Sequence, residues 1–271
     1  MKRFFCVVLA LLLVPGLAIS AAAVDSRVHD GAAAIAGVSL KSMELPEQLC
    51  ESIPVLMYHD VSDTENSLCL SPEHFREHLE FFRENGYTPV TLSQIHAHWT
   101  QGAPLPEKPV AMTFDDGYRA MYDTVFPMLQ EYGYTATFFV IPAARWSDWS
   151  VDEAMMKEMA DGGMEIGSHT YSHLQLTLLD EEDMLFELTE SKASIEAITG
   201  REVVSLCYPV GYHNDAVAAA AEECGYKIAV TTVYGLSSPE QGIMSLERLR
   251  VVRGDSGQML DYKLSGKIGE I

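Results

Sequence analysis

The sequence is poor in cations: 18 Lys and Arg stand against 39 Asp and Glu, a formal net charge of −21 over 271 residues. Nucleic acid and anionic lipid surfaces are held through Lys and Arg, so both are poor partners for this chain. A neutral or cationic ligand suits it better, although solubility alone accounts for the charge. Cysteine is also sparse, and the five present do not have the spacing of a zinc ribbon. Long apolar runs are absent after the N-terminus. The one there, Phe4 to Ile19, is broken by Pro15 and Gly16 and falls short of the ~20 residues that span a bilayer.

That N-terminal run has a different use. Lys2 and Arg3 precede it and Ser20-Ala21-Ala22-Ala23 follow it, the charged, apolar and small-residue order of a secretory signal peptide. We expect residues 1–23 to be removed after Ala23, giving a secreted or cell-envelope protein with no stable membrane span. A retained anchor is the alternative. Cys6 lacks the small-residue context of lipid attachment. Removal of Lys2 and Arg3 leaves 16 basic against 39 acidic residues, a net charge of −23. Export permits disulfides among Cys50, Cys69, Cys207 and Cys224. Cys50 and Cys69 flank one apolar strand, Cys207 and Cys224 read as packing positions, and the three pairings stay open. Residues 24–51, rich in Ala, Gly and Ser, read as a linker or lead-in, and residues 52–271 as the folded domain.

Within that domain strands alternate with helices. Ile53 to Asp60 is an apolar strand, and Ser71-Pro72-Glu73 caps a helix with Phe75, Leu79 and Phe82 at helical spacing. Further strands are expected at 88–91, 110–114, 135–141, 164–167, 203–208, 227–232 and 249–252. Helices are expected at 92–99, 122–132, 151–161, 180–198 and 215–224. The Met155, Met156 and Met159 stripe reads as core, and Glu181-Glu182-Asp183 as a solvated helix start. Roughly seven β/α units favour an α/β fold with a mainly parallel, closed or partly closed barrel. In such barrels sites form at the C-terminal strand ends, which gathers His59, Asp115, Asp116, His169, His173 and Pro209 to Tyr212 at one mouth.

Val110-Ala-Met-Thr-Phe114 ends abruptly in Asp115-Asp116-Gly117. Two carboxylates side by side at a strand mouth raise each other's pKa, and a bound cation removes that cost. A cap would need only one Asp. His169-Thr-Tyr-Ser-His173 supplies two imidazoles four positions apart, on a helix or a tight loop. Alone, such a pair usually means packed or solvated histidines. With the carboxylates, two imidazoles and one carboxylate make a catalytic metal set with open positions, and the second carboxylate is free to act as general base.

Thr113-Phe114-Asp115-Asp116-Gly117 and His169-Thr170-Tyr171-Ser172-His173 resemble the first two motifs of the polysaccharide deacetylase family, the NodB-homology group or carbohydrate esterase family 4. Pro209-Val210-Gly211 resembles its third motif, and the similarity runs from about Ile53 to Arg253. The resemblance implies a deformed (β/α)7-type barrel and metal-dependent removal of acetyl groups, usually N-acetyl groups of hexosamine polymers. By position it makes Asp115 the general base and Asp116, His169 and His173 the ligands of a divalent metal, commonly Zn²⁺ and sometimes another transition ion. It places the Val210 backbone N–H on the oxyanion, with Pro209, Gly211 and Tyr212 beside the groove.

Two positions depart from the family. Its third motif starts with an arginine that orients the base, and the matching residue here is Cys207. Arg248 is a candidate substitute, with a surface arginine as the alternative. The family often has a catalytic histidine near its C-terminus, and none follows His213. Leu56-Met57-Tyr58-His59-Asp60 instead resembles the opening strand of exported poly-N-acetylglucosamine deacetylases, where a histidine in this place is the acid. That assigns His59 to protonate the leaving amine; the alternative is a strand-end histidine satisfied by Asp60. His213 reads as a loop histidine, and Trp149 as a groove wall or a packing residue. The expectation is an exported de-N-acetylase acting on an N-acetylated glycan. The alternatives are an O-acetyl esterase on xylan or a similar glycan, and a silent glycan-binding wall protein.

Overall fold

The computed structural model describes residues 52–265. The expected leader, the 24–51 lead-in, Cys50 and residues 266–271 lie outside them, and so does any pairing of Cys50 with Cys69.

The described chain opens with β1 (Val55–Tyr58), β2 (Asp60–Val61), β3 (Cys69–Leu70), α1 (Pro72–Asn85), β4 (Thr88–Val90) and α2 (Leu92–Gln101). Then come β5 (Pro109–Phe114), α3 (Phe126–Tyr132), β6 (Thr137–Val140), α4 (Glu153–Asp161) and β7 (Glu165–Ser168). The rest is α5 (Glu181–Thr199), β8 (Ser205–Cys207), α6 (Asp215–Glu223), β9 (Ile228–Tyr234), β10 (Leu246–Arg250) and α7 (Gly257–Leu264).

Seven strands close a parallel ring in the order β1, β5, β6, β7, β8, β9, β10 and back to β1. This is the expected barrel. β4 is an eighth strand outside the ring: it pairs with the first half of β5, on the edge that β6 occupies further along. The α2 N-terminus covers the place where β4 and β6 part. There Leu92 N–H donates to Thr137 Oγ1 at 3.2 Å and Ser93 N–H to Glu165 Oε2 at 2.9 Å.

Because strand side chains alternate, each strand serves two cores. Val55, Ala111, Phe139, Cys207, Val230 and Leu246 fill the lumen. Leu56, Tyr58, Met112, Phe114, Phe138 and Leu206 point outward beneath the helices. Burial on both faces is why these strands read as continuous apolar runs. Phe114 stacks between Tyr58 (4.8 Å) and Phe138 (5.0 Å), and replacing such a ring with Ala costs about 3–5 kcal/mol.

Boundaries differ where local chemistry overrides pattern. The helix expected from 122 begins as a wide turn, Met121–Val125, with Phe126 N–H donating five residues back to Met121. Pro127 follows it in α3, a residue with no N–H for the regular ladder. The last strand is Leu246–Arg250 instead of 249–252. Its lumen-facing positions include a charged residue, Arg248, so the apolar run that would mark it is interrupted.

Candidate active site

The strand mouths deliver the site. β5 ends at Phe114, and the next residue with lumen parity is Asp115, whose N–H donates to Tyr58 O at 3.0 Å. The Tyr58–Phe114 pairing sets His59 beside Asp115 across the β1–β5 seam. His169 follows the last residue of β7, Cys207 is the last residue of β8, and Arg248 rises from β10. Each shares the parity of lumen residues on its strand, which is why residues far apart in sequence meet.

Arg248 is fully buried and every hydrogen-bonding direction it has is used. Its Nε donates to Thr231 O at 2.8 Å, and Nη1 donates to Thr113 Oγ1 at 2.9 Å and Asp115 Oδ1 at 2.8 Å. Nη2 donates to Asp115 Oδ2 at 2.7 Å and reaches Cys207 Sγ at 3.3 Å. The pair is bidentate, the geometry that a planar guanidinium gives. Burial alone would push the Asp115 carboxyl up, but Arg248 holds it well below the usual carboxylate range. Cys207 keeps the position where the family has its arginine, while Arg248 reaches Asp115 from β10, two strands round the ring from β5. The surface alternative is excluded by its burial.

Asp116 has φ 75°, which turns its carboxylate away from its neighbour and towards the histidines. Its Oδ1 lies 3.3 Å from His169 Nε2 and 3.5 Å from His173 Nε2. A tetrahedral ion with bonds of ~2.1 Å keeps its ligands about 3.4 Å apart, so each imidazole nitrogen stands from Oδ1 at the spacing of two ligands of one ion, and all three atoms lie within 4.8 Å of one another. Cys207 O can only accept, so His169 Nδ1 donates to it at 2.7 Å and Nε2 presents its lone pair to the site. These residues fit a divalent metal. Asp115, His169 and Cys207 form a second close group of ligand types. Arg248 already occupies Asp115 there, and burial raises the Cys207 thiol, so that group offers a cation neither a free carboxylate nor a thiolate.

His169–His173 is a tight loop, not a helical turn: Thr170 (φ 60°) and His173 (φ 64°) both adopt left-handed backbone. For residues with side chains this costs of order 1–3 kcal/mol each, so the loop depends on its surroundings. His59 is largely buried, and its Nδ1 has no hydrogen-bond partner. Burial lowers its imidazole, partly opposed by the charges of Asp115 and Asp116. Asp60 does not satisfy it; the Asp60 carboxylate takes Ser62 Oγ at 2.6 Å and the Cys69 thiol at 3.4 Å.

A cavity of about 500 Å³ opens beside Asp116 and His173, walled by Tyr118, Ile141, Ala144 and Trp149. Trp149 is half exposed, with its ring 5.8 Å from that of Tyr118. Burial and Asp116 push the Tyr118 phenol up to about 12, so it stays a hydrogen-bond donor. Pro209–Gly211 forms a tight turn in which Val210 has φ 54° and is half exposed, with Tyr212 exposed beyond it. His213 stacks on Tyr208, at 5.0 Å and 10°, as a packing residue. A cleft of about 610 Å³ lies near the starts of β6 and β7, among Thr91, Gln94, Glu165 and Arg201. It lacks convergent metal ligands among the described residues. Thr113 and Tyr118 gained no role from the sequence, although both lie in or beside the Asp115-Asp116-Gly117 stretch.

The polysaccharide deacetylase family model matches residues 102–229. YxkH of Bacillus subtilis (strain 168), which carries a provisional polysaccharide deacetylase name, is 38% identical over 205 residues, covering 76% of this chain and 73% of its own. The poly-beta-1,6-N-acetyl-D-glucosamine N-deacetylase of Escherichia coli (strain K12) is 38% identical over 101 residues, which are 36% of this chain and 15% of that protein. Among solved structures, the Streptococcus pyogenes deacetylase PplD in complex with acetate superposes with a TM-score of 0.76 at 27% identity, covering 79% of this chain and 98% of that one.

Proposed function

The chain belongs to the polysaccharide deacetylase family, and from that premise we propose that it is an exported, metal-dependent hydrolase removing N-acetyl groups from a cell-wall or surface glycan. The observation that carries this reading is the division of labour between adjacent carboxylates. Asp115 is bound by Arg248 and ionised, while Asp116 faces two imidazoles. The N-acetyl preference draws on the Escherichia coli relative and on the placement of His59 in the opening strand. Export rests on the leader sequence.

Asp116, His169 and His173 would hold the ion, with Zn²⁺ suited to two nitrogens and one oxygen. When bound, the ion supplies Lewis acidity, lowering the pKa of a water and polarising the acetyl oxygen. Asp115 accepts that water's proton through the lone pairs Arg248 leaves free. A carboxylate this acidic is a weak base, so its contribution is to be ionised and aligned. The Val210 backbone N–H faces the charge developing on the acetyl oxygen. His59 gives a proton to the departing nitrogen, and its burial makes it a stronger acid once protonated. The C–N bond breaks, the water oxygen stays on the acetyl carbon, and acetate and a free amine leave. Arg248 in the place of the missing arginine speaks against a silent glycan-binding protein.

The test is acetate release from chitin oligomers, poly-N-acetylglucosamine, peptidoglycan and acetylxylan, by wild type and Asp115→Asn. Release from the N-acetylated polymers, lost in Asp115→Asn with metal still bound, is the expected result. Release from acetylxylan alone would replace the reading with O-acetyl esterase. Turnover that persists in Asp115→Asn would remove Asp115 as the base.

A further inference from the structure

Glu187 sits near the middle of α5, a helix whose sequence is acidic throughout, yet it is 3% exposed. No Lys or Arg pairs with it among the described residues. Its carboxylate is directed at one neighbour: Oε2 accepts Ser172 N–H at 2.8 Å, and Oε1 accepts the Ser172 hydroxyl in a short contact. The Glu187 carbonyl also accepts Tyr171 N–H at 3.1 Å. One turn along the same helix face, Ser191 Oγ meets Ser168 Oγ at 2.7 Å, and Ser168 Oγ accepts Thr170 N–H at 3.1 Å.

All these contacts hold the segment between His169 and His173. That segment carries two left-handed non-glycine residues, and its ends present imidazoles whose ring centres are 4.6 Å apart. A backbone with such preferences relaxes unless something outside it fixes the shape. A buried carboxyl group with no cation partner is costly to keep for packing alone. We propose that Glu187 is a positioning residue for the metal centre, acting through Ser172 to hold His173 at ligand distance from His169 and Asp116. The chemistry of the side chain suits that role, because Ser172 offers two donors and the two Glu187 oxygens accept them in one plane. Gln offers one acceptor and turns an N–H₂ on the other donor.

This rests on the reading that Asp116, His169 and His173 hold the ion. Metal-free protein is titrated with Zn²⁺ and Co²⁺ by calorimetry, and the Co²⁺ visible spectrum is recorded, for wild type, Glu187→Gln, Ser172→Ala and the double variant. Outer-shell partners of metal ligands are worth about 10–100-fold in affinity. We expect Glu187→Gln to weaken Zn²⁺ at least tenfold and shift the Co²⁺ spectrum, with native circular dichroism. The double variant should lose no more than the larger single loss, since both residues act through one contact. A helix-packing residue would lower thermal stability and leave metal affinity unchanged. Affinity within twofold of wild type in Glu187→Gln, or fully additive losses in the double variant, overturns the proposal. Failure of the wild type to bind a divalent ion would instead overturn the metal assignment itself.

Discussion

Arg248 and Asp115 lie 133 positions apart and meet through two parallel hydrogen bonds of 2.8 and 2.7 Å inside the barrel. The guanidinium makes three further contacts, to Thr113, Thr231 and Cys207, so its orientation is fixed before any substrate arrives.

Removing one partner of a buried ion pair costs about 3–5 kcal/mol, because the other charge is left uncompensated. Arg248→Met should therefore lower the thermal midpoint by on the order of 10 °C and abolish measurable acetate release. Arg248→Lys keeps the charge but not the fork, and a point charge cannot align both carboxylate oxygens. We expect its kcat to fall at least tenfold with metal affinity retained. A lysine variant with wild-type kcat would show that only charge, not alignment, matters at Asp115.

The sequence carried the strand–helix alternation, the ring of seven units and the Asp115, Asp116, His169 and His173 set. These are short-range signals: apolar runs ended by glycines, and ligand types at fixed spacing. Arg248 emerged only as a candidate, because nothing in one sequence tells which strand faces which across a lumen. Glu187 was invisible for a different reason. It lies among Glu181, Glu182, Asp183 and Glu190, and periodicity does not distinguish the one carboxylate that the fold turns inward. The left-handed backbone at Asp116, Thr170 and Val210 was equally hidden, since glycine is the residue that announces it.

Cys207 occupies the position where a base-orienting arginine was expected, so its own contribution can be separated from that of Arg248. Its thiol touches both members of the pair, at 3.5 Å from Asp115 Oδ2 and 3.3 Å from Arg248 Nη2. Cys207→Ala leaves the bidentate contact and the carbonyl that accepts from His169 in place. It should keep kcat within about threefold and bind one metal ion per chain; the loss of a few buried atoms costs on the order of 1 kcal/mol. Loss of the metal in this variant, measured by elemental analysis after dialysis, would assign the ion to the Asp115, His169 and Cys207 group instead.

Metal removal should register in stability as well as in activity. Asp116 and the two imidazoles converge, with Asp116 Oδ1 3.3 and 3.5 Å from the two ring nitrogens, and an ion that binds only the folded chain stabilises it by mass action. Free Zn²⁺ at a hundred times its Kd adds about 2.7 kcal/mol. Chelation should lower the thermal midpoint by several degrees and abolish acetate release, with both restored by added Zn²⁺. His169→Ala should sit at the lower midpoint with or without Zn²⁺. A chelated wild type with an unchanged midpoint and full activity would rule out the ion.

His78, on α1 far from the metal set in sequence, predicts an acid limit to the fold. It is fully buried; its Nε2 donates to Asp255 O at 2.9 Å, so Nδ1 accepts from the Tyr58 hydroxyl at 2.9 Å. Burial lowers its pKa from 6.5 to about 4, only partly offset by Asp255. Between those values the unfolded chain binds the proton that the folded chain refuses, so stability rises with pH through this window and falls as pH drops through it. At 1.36 kcal/mol per unit the loss from pH 6.5 to about 4 is about 3 kcal/mol. His78→Phe removes the titration together with two hydrogen bonds. It should be less stable than wild type at pH 7.5, with a shallower decline towards pH 4. Urea unfolding of both proteins at several pH values tests this, and parallel declines would mean that His78 is not the group that titrates.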